Sequence, residues 1–132
     1  MLERKHMTNP FVDQANFMRA CGQTTNQHNP AQFEMYYTLI KEEVAELMVS
    51  HQLDDRVEQL DALIDILVVT IGALHSMGCY PEDAWNEVMR TNFAKVDPVT
   101  GRVTRREDGK ILKPDGWEPP RLNRYLFEAD SK

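Results

Sequence analysis

The sequence predicts an all-α protein: a four-helix bundle with a short first helix, a β-hairpin and extended arm at the C-terminal end, and more than one copy in the assembly. Three observations predict it. Apolar residues recur at helical spacing from Phe11 to about Lys95. Asn29-Pro30, Asp54-Asp55 and Gly78 followed by Pro81 fall where helix starts and stops belong. Finally, Ile66–Leu74 is apolar nearly all round. A helix of that kind needs burial on several sides, which a 132-residue chain hardly supplies, so a second copy is the natural cover.

The elements follow in order. Residues 1–10 read as a loose leader and Phe11–Ala20 as a short helix. Gly22–Asn29, GQTTNQHN, is polar and turn-rich, hence a loop. Asn29 can cap a second helix whose first residue is Pro30 and whose end is near His51, with Phe33, Tyr36, Ile40, Val44 and Leu47 on its apolar face. A connection as short as Gln52–Asp55 makes the next helix, about Arg56–Met77, an antiparallel neighbour. Its stripe is Val57, Leu60, Ile64, Leu67, Val68 and Ile71. Gly78 ends it and Pro81 opens a fourth helix to about Lys95, with Glu82 and Asp83 where the helix dipole favours acids. Val103–Arg106 and Lys110–Lys113 flank Asp108-Gly109, a hairpin signal, and KPDGWEPP continues as an extended arm. This is a single domain, 1–132, with its core at about 30–97 and its arm at 98–132.

Composition narrows the function. Hydrophobic residues make up 42% of the chain, enough for a core. The most apolar stretch, Ile64–Leu74, is far short of the roughly 20 residues that cross a bilayer, and MLERKHMTNP has no apolar signal region. A cytoplasmic protein without membrane contact is expected. Cys21 and Cys79 are isolated and read as reduced thiols. The net charge of -6 is uneven: -9 over residues 1–89 and +3 over 90–132. No broad basic face is available for nucleic acid. A small anion, bridged by metal to the early acids and gripped by the late bases, suits both halves.

The acids carry the chemistry. Glu42, Glu43 and Glu46 form E-E-x-x-E on the second helix. Glu42 and Glu46 fall away from its apolar stripe and Glu43 at its border. On the third helix Glu58, Asp61 and Asp65 follow, with Asp61 and Asp65 beside the stripe. An unpaired buried carboxylate either costs several kcal/mol or shifts its pKa until it neutralises. The third helix offers Asp65 no base one turn away. Mg2+, held by oxygen ligands, would make such a convergence tolerable, and Mn2+ is the possible substitute. After the fourth helix begins come Arg90, Asn92 and Lys95, then Lys110 and Lys113, candidates for a phosphate chain. His6, His28, His51 and His75 are scattered, and no Glu-x-x-His, HExxH or phosphate-binding glycine loop is present.

Glu42-Glu43-x-x-Glu46, the acidic third helix, Gly78, Asn92-x-x-Lys95 and the tail DGKILKPDGWEPPRL together resemble the all-α nucleotide pyrophosphohydrolases. That superfamily includes MazG, the dimeric dUTPases and phosphoribosyl-ATP pyrophosphohydrolase. The tail is similar to that of small single-domain MazG-like proteins of bacteria and phages, and the resemblance runs from Tyr36 to Leu122. The family's second motif is E-x-x-D. Aligned on Asp65, its Glu falls on Ala62, so either Asp61 takes that place or the motif is Glu58-x-x-Asp61 with Asp65 added.

The resemblance implies Mg2+-dependent hydrolysis of a (deoxy)nucleoside triphosphate to the monophosphate and pyrophosphate, a housecleaning activity. It implies Glu43, Glu46, Asp61 and Asp65 as metal ligands, with Glu42 as ligand or water-orienting base. It also implies Asn92, Lys95, Lys110 and Lys113 on the phosphates, and Asn16, with Gln14 and Phe17, near the base. A homodimer or homotetramer is expected. The rival readings are phosphoribosyl-ATP pyrophosphohydrolase or dUTPase activity, and, in another class, a catalytically silent helical dimer that binds nucleotide or protein.

Overall fold

A computed structural model describes residues 9–127; the leader residues 1–8, with His6, lie outside the described residues. Four α-helices follow one another: α1 (Pro10–Ala20), α2 (Pro30–Gln52), α3 (Arg56–Ser76) and α4 (Pro81–Phe93). The helix starts are the ones that the capping residues dictate. Asn29 Oδ1 accepts from the Gln32 N–H at 3.2 Å with Pro30 in the first turn, and Asp55 accepts from the Glu58 N–H at 3.1 Å. Gly78, at φ +74°, turns the chain out of α3, a conformation that a side chain there would strain.

Among the described residues the chain divides into two units, residues 9–81 with Phe127, and residues 82–126. In the first, α2 and α3 form an antiparallel pair and α1 packs on α3. Met18, Tyr36, Val69 and Ala73 make the buried centre, with Phe33, Leu39 and Ile40 against it. Gly72 brings α3 close to the ring of Tyr36, whose hydroxyl donates to Gln23 Oε1 at 2.5 Å. Buried His75 ties α1 to α3: one ring nitrogen donates to the Phe11 carbonyl at 2.8 Å, and the other lies 3.2 Å from Asn26 Oδ1. The chain returns to this unit at Phe127, whose N–H donates to the Gly78 carbonyl at 2.8 Å and whose ring meets Tyr80 edge-on.

In the second unit, α4 is followed by loops that carry only single antiparallel bridges, Val96 with Val103 and Arg105 with Ile111, and a short 3-10 turn, Asn123–Tyr125. The expected β-hairpin is therefore corrected: the turn forms, but no strand is present among the described residues. Two short, charged, exposed segments have no third strand or apolar layer to hold them in register.

The α3 stripe also needs correction. Val57, Leu60, Ile64 and Leu67 are 75%, 63%, 50% and 57% exposed, while Ala62, Val69 and Ala73 are buried. Of that stripe Ile71 is buried and Val68 half-buried, as expected, and Val69 and Ala73 pack with Tyr36 of α2.

Candidate active site

The second helix presents one buried side to α3. Tyr36, Ile40, Glu43, Leu47 and Ser50 recur at three- and four-residue spacing, and each is buried or half-buried. Glu43 is the one acid in that row. Its Oε1 is shut off from solvent and has no hydrogen-bond partner. Burial raises its pKa above the ordinary 4.5, and the charges of Glu46, Asp65, Asp61 and Glu42 raise it further. Four of the other acids singled out in the sequence therefore act on this carboxyl.

Asp65 is half-buried, whereas Glu42, Glu46 and Asp61 are exposed at the rim. Glu58 lines, with Glu46 and Asp55, a cleft of about 400 Å³ near the turn between α2 and α3. Ala62, where the second motif has its Glu, is 3% exposed. Asp61 lies one residue away on the outer side of the helix, so it joins the field around Glu43 without occupying the place of residue 62.

An all-carboxylate set with an orphaned buried oxygen fits a hard divalent cation. As placed, no three His, Cys, Asp or Glu side chains among the described residues enclose an ion. Mg2+ in proteins commonly keeps several waters and takes one or two carboxylates together with substrate phosphates, so a full side-chain cage is not a requirement for it. Glu43 and Asp65 would hold it from the sheltered side, with Glu46 and Asp61 at the rim.

The remaining candidates divide between the two units. Asn16 is exposed on α1, where its Oδ1 accepts from Arg19 at 2.6 Å; Phe17 is 62% exposed, and Gln14 is buried. In the second unit Asn92 Oδ1 accepts from Lys95 Nζ at 3.3 Å. Lys95 and Lys113 line a cleft of about 390 Å³, while Lys110 is exposed. Arg90 is already engaged: its guanidinium makes two bonds, 2.9 and 3.0 Å, to the buried carboxylate of Glu87. Those bonds, with the Arg121 backbone N–H at 2.9 Å, hold Glu87 down at about 2. Neither Glu87 nor Trp117, whose indole N–H donates to the Thr91 carbonyl at 2.7 Å, was singled out from sequence. The available signal was a tryptophan inside a proline- and glycine-rich arm.

The family model for phosphoribosyl-ATP pyrophosphohydrolase matches residues 15–92, which takes in all the acids described above and stops before the arm. A comparison with curated proteins finds no match.

Proposed function

The chain belongs to the phosphoribosyl-ATP pyrophosphohydrolase family, a group of nucleotide pyrophosphohydrolases, and from that premise we propose that it cleaves a (deoxy)nucleoside triphosphate to the monophosphate and pyrophosphate with Mg2+. The observation that carries the metal part is the partnerless, buried Glu43 Oε1 in the field of four further carboxylates. Bound there, Mg2+ would neutralise phosphate charge and ease deprotonation of an attacking water.

The chain's own groups supply the rest. Glu43 and Asp65 present oxygens from a sheltered position, so the anionic substrate is drawn to the site only when the cation is present. Glu46, Asp61 and Glu42 at the rim keep the local field negative, and a carboxylate among them can accept the proton of a water placed against the scissile phosphorus. Lys95, Lys113 and Asn92 offer donors to phosphate oxygens. Phosphoribosyl-ATP is the second reading, favoured by the family match itself.

The deciding experiment is a screen of canonical and modified nucleoside triphosphates and phosphoribosyl-ATP for pyrophosphate release with Mg2+ or Mn2+. Pyrophosphate with a monophosphate is the expected product pair; release of orthophosphate, or of nothing, overturns the reading. Glu46→Gln and Asp65→Asn are each expected to lower turnover by about 100-fold or more while the far-ultraviolet circular dichroism stays that of wild type. Undiminished turnover removes the substituted residue from the site.

The assembly we propose is a homodimer or a dimer of dimers. Its support is the exposed row Val49, Leu53, Val57, Leu60, Ile64 and Leu67, all 50% exposed or more, which forms a long apolar face across α2 and α3. Placing charges in it with Leu60→Lys and Leu67→Lys is expected to give a monomer in sedimentation at micromolar concentration, where wild type sediments as a dimer or larger. A wild-type monomer would count against the assembly.

A further inference from the structure

We propose that Trp117 is a positioning residue that sets Lys95 and Lys113 as a paired grip for a diphosphate group. This deepens, and rests on, the reading of those two lysines as phosphate-binding.

The ring is held first. Trp117 is half-buried, and its indole N–H donates to the Thr91 carbonyl at 2.7 Å; Thr91 itself is 2% exposed. The arm that carries the ring is tied a second time four residues on, where the Arg121 N–H donates to the buried Glu87. An extended arm rich in proline and glycine has no periodic hydrogen bonding to fix it, so these two ties, with the Trp117 backbone N–H donating to the Pro114 carbonyl at 3.1 Å and the Leu112 N–H to the Thr104 carbonyl at 2.7 Å, set where the ring stands.

The ring then collects two cations. Lys95 Nζ lies 5.1 Å and Lys113 Nζ 4.8 Å from its centroid. Each distance is within the range in which the negative face of an indole attracts an ammonium group. Two like charges gathered at one ring repel one another, and the attraction of the ring offsets that only in part. Neither ammonium is paired with a carboxylate: the ion pairs among the described residues are Arg90–Glu87, Arg106–Asp108 and Arg121–Glu118. Both lysines open onto the same 390 Å³ cleft, together with Thr104, Asp97 and Asp115. Asp97 already accepts from the Val99 N–H at 2.8 Å.

A lysine is a flexible point charge and loses much rotamer freedom when it binds a phosphate. A shared aromatic ring that restricts two of them beforehand lowers that loss for a ligand with two adjacent phosphoryl groups. A single phosphate can accept from both as well, but a diphosphate carries more negative charge and a longer row of oxygens, so it gains more from two cations held at one ring. The chemical class is therefore a diphosphate, either inorganic pyrophosphate or the terminal end of a nucleotide triphosphate. All of Lys95, Lys113 and Trp117 lie beyond the segment that the family model matches.

The test is calorimetric titration of the full-length, metal-free protein with inorganic pyrophosphate and with inorganic phosphate at low ionic strength. Wild type is expected to prefer pyrophosphate. Trp117→Ala is expected to weaken pyrophosphate binding by about tenfold and erase the preference, with Trp117→Phe, which keeps a ring, between the two. In turnover the same loss is expected in KM with kcat nearly unchanged. Wild-type affinity and preference in Trp117→Ala would overturn the positioning role. No pyrophosphate binding by wild type, or none lost in Lys95→Ala and Lys113→Ala, would instead overturn the reading of the lysines. If Trp117→Ala fails to fold, Trp117→Phe decides: an affinity equal to that of Trp117→Phe/Lys95→Ala sinks the proposal, and retained preference with intermediate affinity supports it.

Discussion

A Glu43→Gln protein is expected to melt higher than wild type in the absence of metal, to lose its response to Mg2+, and to release pyrophosphate at least about 100-fold more slowly. The three effects have one cause. Glu43 is held among Glu46, Asp65, Asp61 and Glu42 with one oxygen buried and unbonded, so its charged form is disfavoured in the fold. Its folded pKa stands above the ordinary 4.5, which means that the folded state binds its proton more tightly than the unfolded chain. Stability from this group is therefore greatest below about pH 4.5 and declines as pH rises from there through the raised value. The amide has no charge to repel, so the variant is expected to be the more stable of the two at neutral pH in the absence of metal. Thermal melts from pH 4 to 8, with and without Mg2+, check all of this. The lead of the variant over wild type should widen as pH rises through the raised Glu43 value, on top of the gain both share as Glu87 ionises, and the cation should stabilise wild type and not the variant. A variant that Mg2+ still stabilises as strongly as wild type would remove Glu43 from the metal site.

Gly72→Ala is expected to be the most damaging small substitution in the helices. A Cβ at residue 72 would stand 2.6 Å from both Cδ1 and Cζ of Tyr36, inside any permitted carbon contact. The ring cannot step aside freely, since Tyr36 is 4% exposed, packed in the cluster with Met18, Val69 and Ala73, and hydrogen-bonded to Gln23. Alanine is the better helix former by about 1 kcal/mol, so a surface glycine-to-alanine change would stabilise. Here overpacking wins, by about 1–3 kcal/mol net destabilisation. Urea midpoints of wild type and variant measure it, and shortening the obstacle with Tyr36→Leu should make the added methyl much less harmful than it is alone. Equal midpoints for wild type and Gly72→Ala would mean that α2 and α3 are not tightly packed there.

Much of the architecture was legible because helix ends obey local chemistry. Asn29-Pro30, Asp55 and Gly78 mark the boundaries by capping and backbone conformation, and these depend on a few neighbouring residues only. The facing of α3 was not legible. Periodicity locates an apolar stripe but does not say what covers it: Val57, Leu60, Ile64 and Leu67 are exposed in the chain, whereas Ala62, Val69, Ile71 and Ala73 are buried. For the acids, the border position of Glu43 pointed to its sheltered place; sequence spacing did not separate Glu58 from Asp61, of which Asp61 acts on Glu43 and Glu58 lines the cleft near the turn. Asp108-Gly109 correctly marks a reversal, yet a reversal does not make strands of its flanks. Trp117 was passed over because a residue in an aperiodic arm leaves no pattern to read; its importance comes from partners distant in sequence.

The bond from Phe127 to Gly78, with Tyr80 against the Phe127 ring, makes residues 82–126 a detour whose departure and return points are neighbours. A detour of that kind can be lengthened or trimmed in its loops without pulling on α1, α2 and α3, which precede it. The segment after residue 92, which carries the lysines and lies beyond the family match, can therefore vary in length and sequence while the helices that hold the carboxylates keep their form.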